Sequence, residues 1–221
     1  MPATPAPDSP KLAAVEAMRN AIVQGEYAPR QRLIEADLCE RFGTSRFIVR
    51  SALQELAAQG LVEFQRNRGA RVREISLGEA IEITEVRQLL EGLQAARAAE
   101  RITRAEAAVL RGIVKDMRAA VAKSELLVYR DLNACLHASV RDIAAHETSA
   151  RLLRQLRDQT VRHQFSLALV PGRPAVSLPQ HEAIVAAVTA RDPAAARRAM
   201  HEHLQSVIEA FEALSATAKR R

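Results

Sequence analysis

Cysteine is nearly absent from this sequence, and the two that occur, Cys39 and Cys135, stand far apart on helix-like segments without neighbouring cysteine ligands. That excludes a disulfide framework and a cysteine-based zinc finger, and both thiols are expected to be reduced. Glycine and proline are also scarce, with 8 and 9 in 221 residues. Combined with a composition rich in Ala, Leu, Arg and Glu, this scarcity predicts a mainly α protein. No run of about 18 apolar residues is available to span a bilayer. No charged segment followed by an apolar stretch of signal-peptide length opens the chain, so the expectation is a cytoplasmic protein with no membrane partner.

What is abundant is positive charge in one place. The formal net charge is +6, and seven arginines between Arg41 and Arg73 face only Glu55 and Glu63 there, leaving the rest of the chain close to balanced. A local excess of this kind points to a polyanionic partner. The length suffices for one large domain or two small ones, and two are expected.

Residues 1–10 (MPATPAPDSP) are too poor in apolar side chains to order themselves and read as a disordered tail. Ser9-Pro10 caps a helix with Leu12, Val15, Met18 and Ile22 at helical spacing, ending near Gly25. A loop around Pro29 leads to a second helix, Glu35 to Phe42, with Gly43 as its left-handed stop. Thr44 and Ser45 then cap a third helix, Arg46 to Gln59, whose apolar stripe is Ile48, Val49, Ala52, Leu53 and Leu56. Two short helices joined this way predict a helix-turn-helix. Leu61 to Phe64 and Ala70 to Arg73 read as strands around a turn holding Asn67 and Gly69, a basic wing. The winged helix-turn-helix domain is therefore expected over 11–73 and a linker over 74–76. The remainder, 77–221, is expected to be an all-helical bundle of six to seven helices. Helices are placed near 77–101, 103–122, 124–145, 147–170, 178–190 and 193–216, with capping boxes at Ser76/Glu79 and Thr103/Glu106 and Pro171 to Pro174 as the clearest break. The basic end, Lys219 to Arg221, is expected to fray.

The second helix of a helix-turn-helix presents its first turns to base edges in the major groove. Arg46 and Arg50, one turn apart, can there bind guanine bidentately or clamp phosphate. Thr44 and Ser45 can add phosphate hydrogen bonds, and Arg66, Arg68 and Arg71, around Gly69 of the wing, can track the minor groove. These eight residues form the candidate set for double-stranded DNA.

The segments Pro29-Arg30-Gln31-Arg32-Leu33-Ile34-Glu35, Leu38 to Arg46, Val49 to Leu53, Gly60-Leu61-Val62 and Arg68-Gly69-Ala70-Arg71-Val72 together resemble the winged helix of the GntR superfamily. The resemblance implies that the arginines at 46 and 50 contact DNA, and that a homodimer binds a palindromic operator. Three departures stand out. Arg30 takes the place of a glycine, Ala36 that of an arginine which often reaches DNA, and Phe47-Ile48 that of Thr-Pro.

There are 6 histidines, and three could share a site. Asn133 and His137 are four residues apart and point the same way from a helix; His181 opens a later helix and His203 lies on the last. Imidazoles plus one oxygen suit a divalent ion such as Zn, Ni or Mn. Asp131, roughly 240° round the helix from His137, should face elsewhere, and His201 should point away from His203. Asn133 to His137, His181 to Val188 with Asp192 and Ala196, and Met200 to Leu204 resemble motifs of the FadR-type ligand domain called FCD. That resemblance implies a metal site of Asn133, His137, His181 and His203. Glu85 to Glu91 resembles the first FCD helix, whose arginine often faces the ligand cavity. Arg87 would then bind a small carboxylate effector, or else pair with Glu91. Arg162 and His163 are further candidates for the cavity wall.

The leading expectation is a ligand-responsive transcription regulator acting as a repressor, and not an enzyme. A metal-dependent hydrolase using the His/Asn site is the alternative, and a nonspecific chromosome-coating protein would explain the charge but leave the histidines without a role.

Overall fold

The computed structural model of the chain describes residues 9–66 and 68–218. The expected disordered tail, apart from Ser9 and Pro10, the turn residue Asn67 and the basic end lie outside the described residues. The described residues form nine helices and three short strands, grouped in two compact units, 1–75 and 76–221.

The first unit follows from local caps and one shared core. Helix α1 (Pro10–Val23) begins where the Ser9 side chain accepts from the Leu12 amide, with Pro10 in the first turn, where its missing N–H is harmless. It buries Val15, Met18 and Ile22 along one face. Helix α2 (Glu35–Phe42) stops at Gly43, whose φ of 59° is the left-handed conformation that glycine adopts without a Cβ clash. Helix α3 (Arg46–Ala58) starts at Ser45, whose side chain accepts from the Ile48 amide, and buries Val49, Ala52, Leu53 and Leu56. These join Met18, Leu38, Val62 and Val72 in one apolar cluster. Strands β2 (Val62–Gln65) and β3 (Gly69–Val72) pair antiparallel as the wing.

A third strand, β1 (Arg32–Leu33), was read from the sequence as loop. It pairs with β3 through Arg32–Arg71 and Leu33–Ala70, giving the order β1-β3-β2. Two residues are too short for a period-2 pattern, so only the tertiary pairing creates this strand. Just before it, Arg30 adopts φ 63° and pairs with Glu74. The family's glycine at this position would take that conformation freely, whereas an L side chain there costs about 1 kcal/mol.

The second unit is built around α4 (Leu77–Arg101), which packs against α6 (Leu126–Ala144), α7 (Glu147–Ala168), α8 (Arg173–Thr189) and α9 (Pro193–Ala218). Helix α5 (Arg104–Ala122) closes the far side against α6 and α8, opened by a complete Thr103/Glu106 capping box. The Ser76 hydroxyl caps α4 by accepting from the Glu79 amide, and Asp192 caps α9 by accepting from Ala195. Leu110, Met117, Leu136, Ile184 and Met200 fill the core. Truncating any of them to Ala would cost about 2–5 kcal/mol.

One boundary departs from expectation in a way that shapes the site. Helix α8 begins at Arg173, not near 178: Gly172 supplies a left-handed N-cap at φ 81°, and Pro174 occupies the first turn. Pro179 lies inside the helix, where it lacks the N–H that would bond the Ala175 carbonyl and its ring crowds that carbonyl. The sequence places a break at Pro171 to Pro174, but Pro174 is a natural helix opener. His181 is therefore the ninth residue of α8 and does not open it. The extra turns place Arg173, Ser177 and His181 in one row, four residues apart.

Candidate functional site

In the first unit the sequence-predicted DNA set divides by environment. Arg46, Arg50, Arg66 and Arg68 are exposed, as are Ser45 and Gly69, while Thr44 is half-buried. The Ser45 oxygen is engaged in capping α3, which leaves its hydroxyl proton free to donate. Arg50 is held at its Nε by both oxygens of Glu35, at 2.8 and 2.9 Å, and the bonded carboxylate raises its pKa. Among the described residues the ends of its fork are thereby left for an outside partner. Arg71 behaves differently. It lies opposite Glu63 in the β2–β3 register and pairs with that carboxylate, half-buried on the sheet.

The second unit encloses a cavity of about 80 Å³ between α4, α6, α7, α8 and α9. That is roughly six times the space one water requires, enough for an ion and a few ligand atoms. His137, His181 and His203, all buried, meet there, with one potential ligand atom from each within 4.8 Å of the others. Their ring centroids are 5.6 Å (137–181), 5.3 Å (137–203) and 4.4 Å (181–203) apart.

What surrounds each ring fixes which nitrogen faces inward. His137 Nδ1 lies 2.8 Å from Glu91 Oε2, His181 Nδ1 3.0 Å from the Tyr129 hydroxyl, and His203 Nδ1 3.1 Å from Gln180 Oε1. Glu91 and the Gln180 amide oxygen can only accept, so Nδ1 of His137 and of His203 carries the proton and Nε2 keeps its lone pair; the Tyr129 hydroxyl, which can accept or donate, is compatible with the same tautomer of His181. His181 Nε2 is buried without any partner, and so is Asn133 Oδ1 on the wall of the same cavity. Burial pushes the pKa of all three imidazoles down, and for His181 and His203 well below the ordinary value, with the neighbouring rings adding to the effect. The rings are neutral at pH 7, the form that can coordinate a metal. The donor set, three imidazole nitrogens and one amide oxygen, suits a borderline divalent ion.

Glu91 is the organising charge, and it was read from the sequence only as a possible partner of Arg87. Its Oε1 accepts from Arg87 Nε and the second guanidinium nitrogen, at 3.0 and 2.8 Å, while Oε2 takes the His137 proton. Burial alone would raise its pKa, but Arg87, then Arg157 and His137, reverse that and hold it well below the usual carboxylate range. The pairing of Arg87 with Glu91 uses two of its nitrogens, and the third, Nη1, is buried at the cavity with no partner.

Arg162 and His163 do not line the cavity; from α7 it is Arg157, Gln164, Leu167 and Ala168 that do. His163 instead packs edge-on against Phe211 at 6.1 Å. Arg173, Tyr129 and Ser177 complete a polar wall that the motifs did not indicate. Arg173 was hidden by the misplaced start of α8, and its Nη2 is another buried, unpartnered nitrogen. Asp131 is exposed beside Arg130, and His201 is exposed with its Nδ1 3.2 Å from the Gln88 amide nitrogen, so both lie apart from the cluster. Among the described residues no Asp or Glu lines the cavity.

Comparison with known proteins is consistent with both units. The model of the gntR family of bacterial regulatory proteins matches residues 10–72, and that of the FCD domain matches residues 82–206. The HTH-type transcriptional repressor RspR of Escherichia coli (strain K12) is 30% identical over 192 residues, covering 87% of this chain and 84% of that protein. The HTH-type transcriptional regulator LutR of Bacillus subtilis (strain 168) is 30% identical over 207 residues, covering 84% and 94%. Among solved structures, E. coli McbR/YncC superposes with a TM-score of 0.75 over 94% of this chain and 99% of that one, at 20% identity, a likeness of fold. No helix among the described residues is long and apolar enough to cross a membrane.

Proposed function

The chain belongs to the GntR family of DNA-binding transcription regulators and carries an FCD domain, and on that premise we propose that it is a cytoplasmic repressor governed by a small anionic metabolite bound beside a divalent metal. The observation that carries this reading is the convergence of three neutral imidazoles, each oriented by a hydrogen-bond partner behind it, next to the unpartnered Arg87 Nη1. His137, His181 and His203, with Asn133, would hold the ion. When bound, it supplies a positive charge that can share an anionic ligand with Arg87.

Arg87 supplies a directional donor to that ligand, while Glu91 fixes both Arg87 and the His137 tautomer. Arg173 Nη2 offers a second donor from α8. With Asn in place of Asp at 133 the ligand set is less negative, which favours an anionic effector. In the first unit, Arg46 and the free end of Arg50 are the groups proposed to read base edges, Thr44 and Ser45 to bind phosphate, and Arg66 and Arg68 with Gly69 to seat the wing. Arg71 contributes by stiffening the wing through Glu63. A homodimer on a palindromic operator fits the family, and the outward Val86 and Leu89 of α4 offer apolar surface to a second copy. The effector acts by binding two arrangements of the dimer unequally, which typically changes operator affinity about 5- to 150-fold.

The test is a selection of duplexes from a random pool, followed by titration of the bound duplex with a panel of small carboxylic acids, before and after chelation. At least one acid should shift DNA affinity, and chelation should abolish the shift. A shift that survives full removal of metal would detach the effector from the histidines, and failure to select any sequence would overturn the repressor reading.

A further inference from the structure

Phe47 is the most exposed large apolar side chain among the described residues, at 82% of its full surface. It is the second residue of α3, directly after the Ser45 cap and Arg46. At about 100° per residue, it lies roughly 170° from the middle of the buried stripe of Val49, Ala52, Leu53 and Leu56. Arg50 falls about 60° to one side of it, and Ser51 and Gln54 continue the same outward row. The centre of the face that α3 presents is therefore an aromatic ring, with two exposed arginines along one side of it.

Leaving such a ring in water is unfavourable, and its setting restricts what can cover it. The exposed charges next to it on the helix are Arg46 and Arg50, the latter held at its Nε by Glu35, and the same unit carries the exposed Arg66 and Arg68 on its wing. A polyanion complements that charge. On the major-groove edge of DNA the one apolar group is the C5-methyl of thymine. Resting on the reading of α3 as the DNA-contacting helix, we infer that Phe47 is a specificity-determining residue which packs on a thymine methyl in the operator.

Covering one methyl is worth about a fourfold change in affinity. The experiment uses duplexes selected from a random pool by the full-length protein, each remade with uracil in place of thymine at one position at a time. The wild type should lose about fourfold at one position in each recognised half-site, and 5-methylcytosine there should bind better than cytosine. Phe47→Ala should bind the same duplexes but lose both discriminations, and Phe47→Leu should keep part of them. Uracil tolerated everywhere by the wild type, or penalised equally in Phe47→Ala, would overturn the inference. So would an unchanged thymine preference accompanied by weaker self-association in sedimentation, which would assign the ring to a protein contact. An Arg46→Ala/Arg50→Ala double variant separates the two levels: if it selects and binds DNA as the wild type does, α3 is not the reading helix and the underlying reading falls as well.

Discussion

Replacing Glu91 by Gln keeps the shape of the side chain and removes one buried charge. The Glu91 and Arg87 side chains are only 5% and 4% exposed, so solvent screens the lost interaction very little. Breaking a buried ion pair by removing one partner costs about 3–5 kcal/mol. The retained amide oxygen can still accept from Arg87, which places the expected loss near 3 kcal/mol, about 10 °C in the melting of the helical unit. The amide nitrogen is a donor and would face His137 Nδ1, also a donor. The imidazole answers by moving its proton to Nε2, which withdraws one lone pair from the cluster. Losing an oriented partner of this kind weakens metal binding about 10- to 100-fold. Calorimetry and a competition titration with a chromophoric chelator read the two effects separately. Acid adds a third signature. The pKa of Glu91 is lower folded than unfolded, so its stabilisation is present above the unfolded value of about 4.3 and lost as pH falls through the folded value. Glu91→Gln should lack that part of the acid sensitivity. Unchanged melting together with unchanged metal affinity would refute the idea that this carboxylate organises the site.

His181→Ala or His203→Ala should remove most of the bound metal while His201→Ala retains it, as elemental analysis of the purified variants will show; metal retained by both of the first two would dissolve the site. Asn133→Asp should tighten the metal, because a carboxylate attracts a dication more strongly than an amide does. In metal-free protein the three histidines stay neutral when folded but take up protons when unfolded, below about pH 6.5. Each should therefore lower stability by about 1.4 kcal/mol per pH unit as pH falls from there towards its folded pKa. Urea unfolding at pH 7 and 5.5 measures this, and a flat profile would contradict their burial. Arg50→Ala should weaken the selected operator by roughly tenfold to a hundredfold, whereas Arg68→Ala should weaken all sequences and reduce the salt slope by about one.

The winged helix was legible because its signals are local. Ser9, Gly43 and Ser45 act as caps through bonds to residues within one turn, and the apolar stripes of α1 and α3 repeat at the helical period, so short windows of sequence suffice. The identity of the three histidines could likewise be read from their motifs, and their neutral, inward-facing state follows from burial. Tertiary structure alone decided the rest. Strand β1 exists because β3 lies beside it, Arg71 is occupied because Glu63 is its cross-strand partner, and α8 starts early because Gly172 turns left-handed before Pro174. Glu91, Tyr129 and Gln180 come to stand behind the rings, and Arg157 and Arg173 beside them, from four different helices. No periodicity records which side chains of separate helices will meet. That is set by how the helices pack, which gives Glu91 and the three Nδ1 atoms their partners and leaves Arg87 Nη1 and Arg173 Nη2 without one.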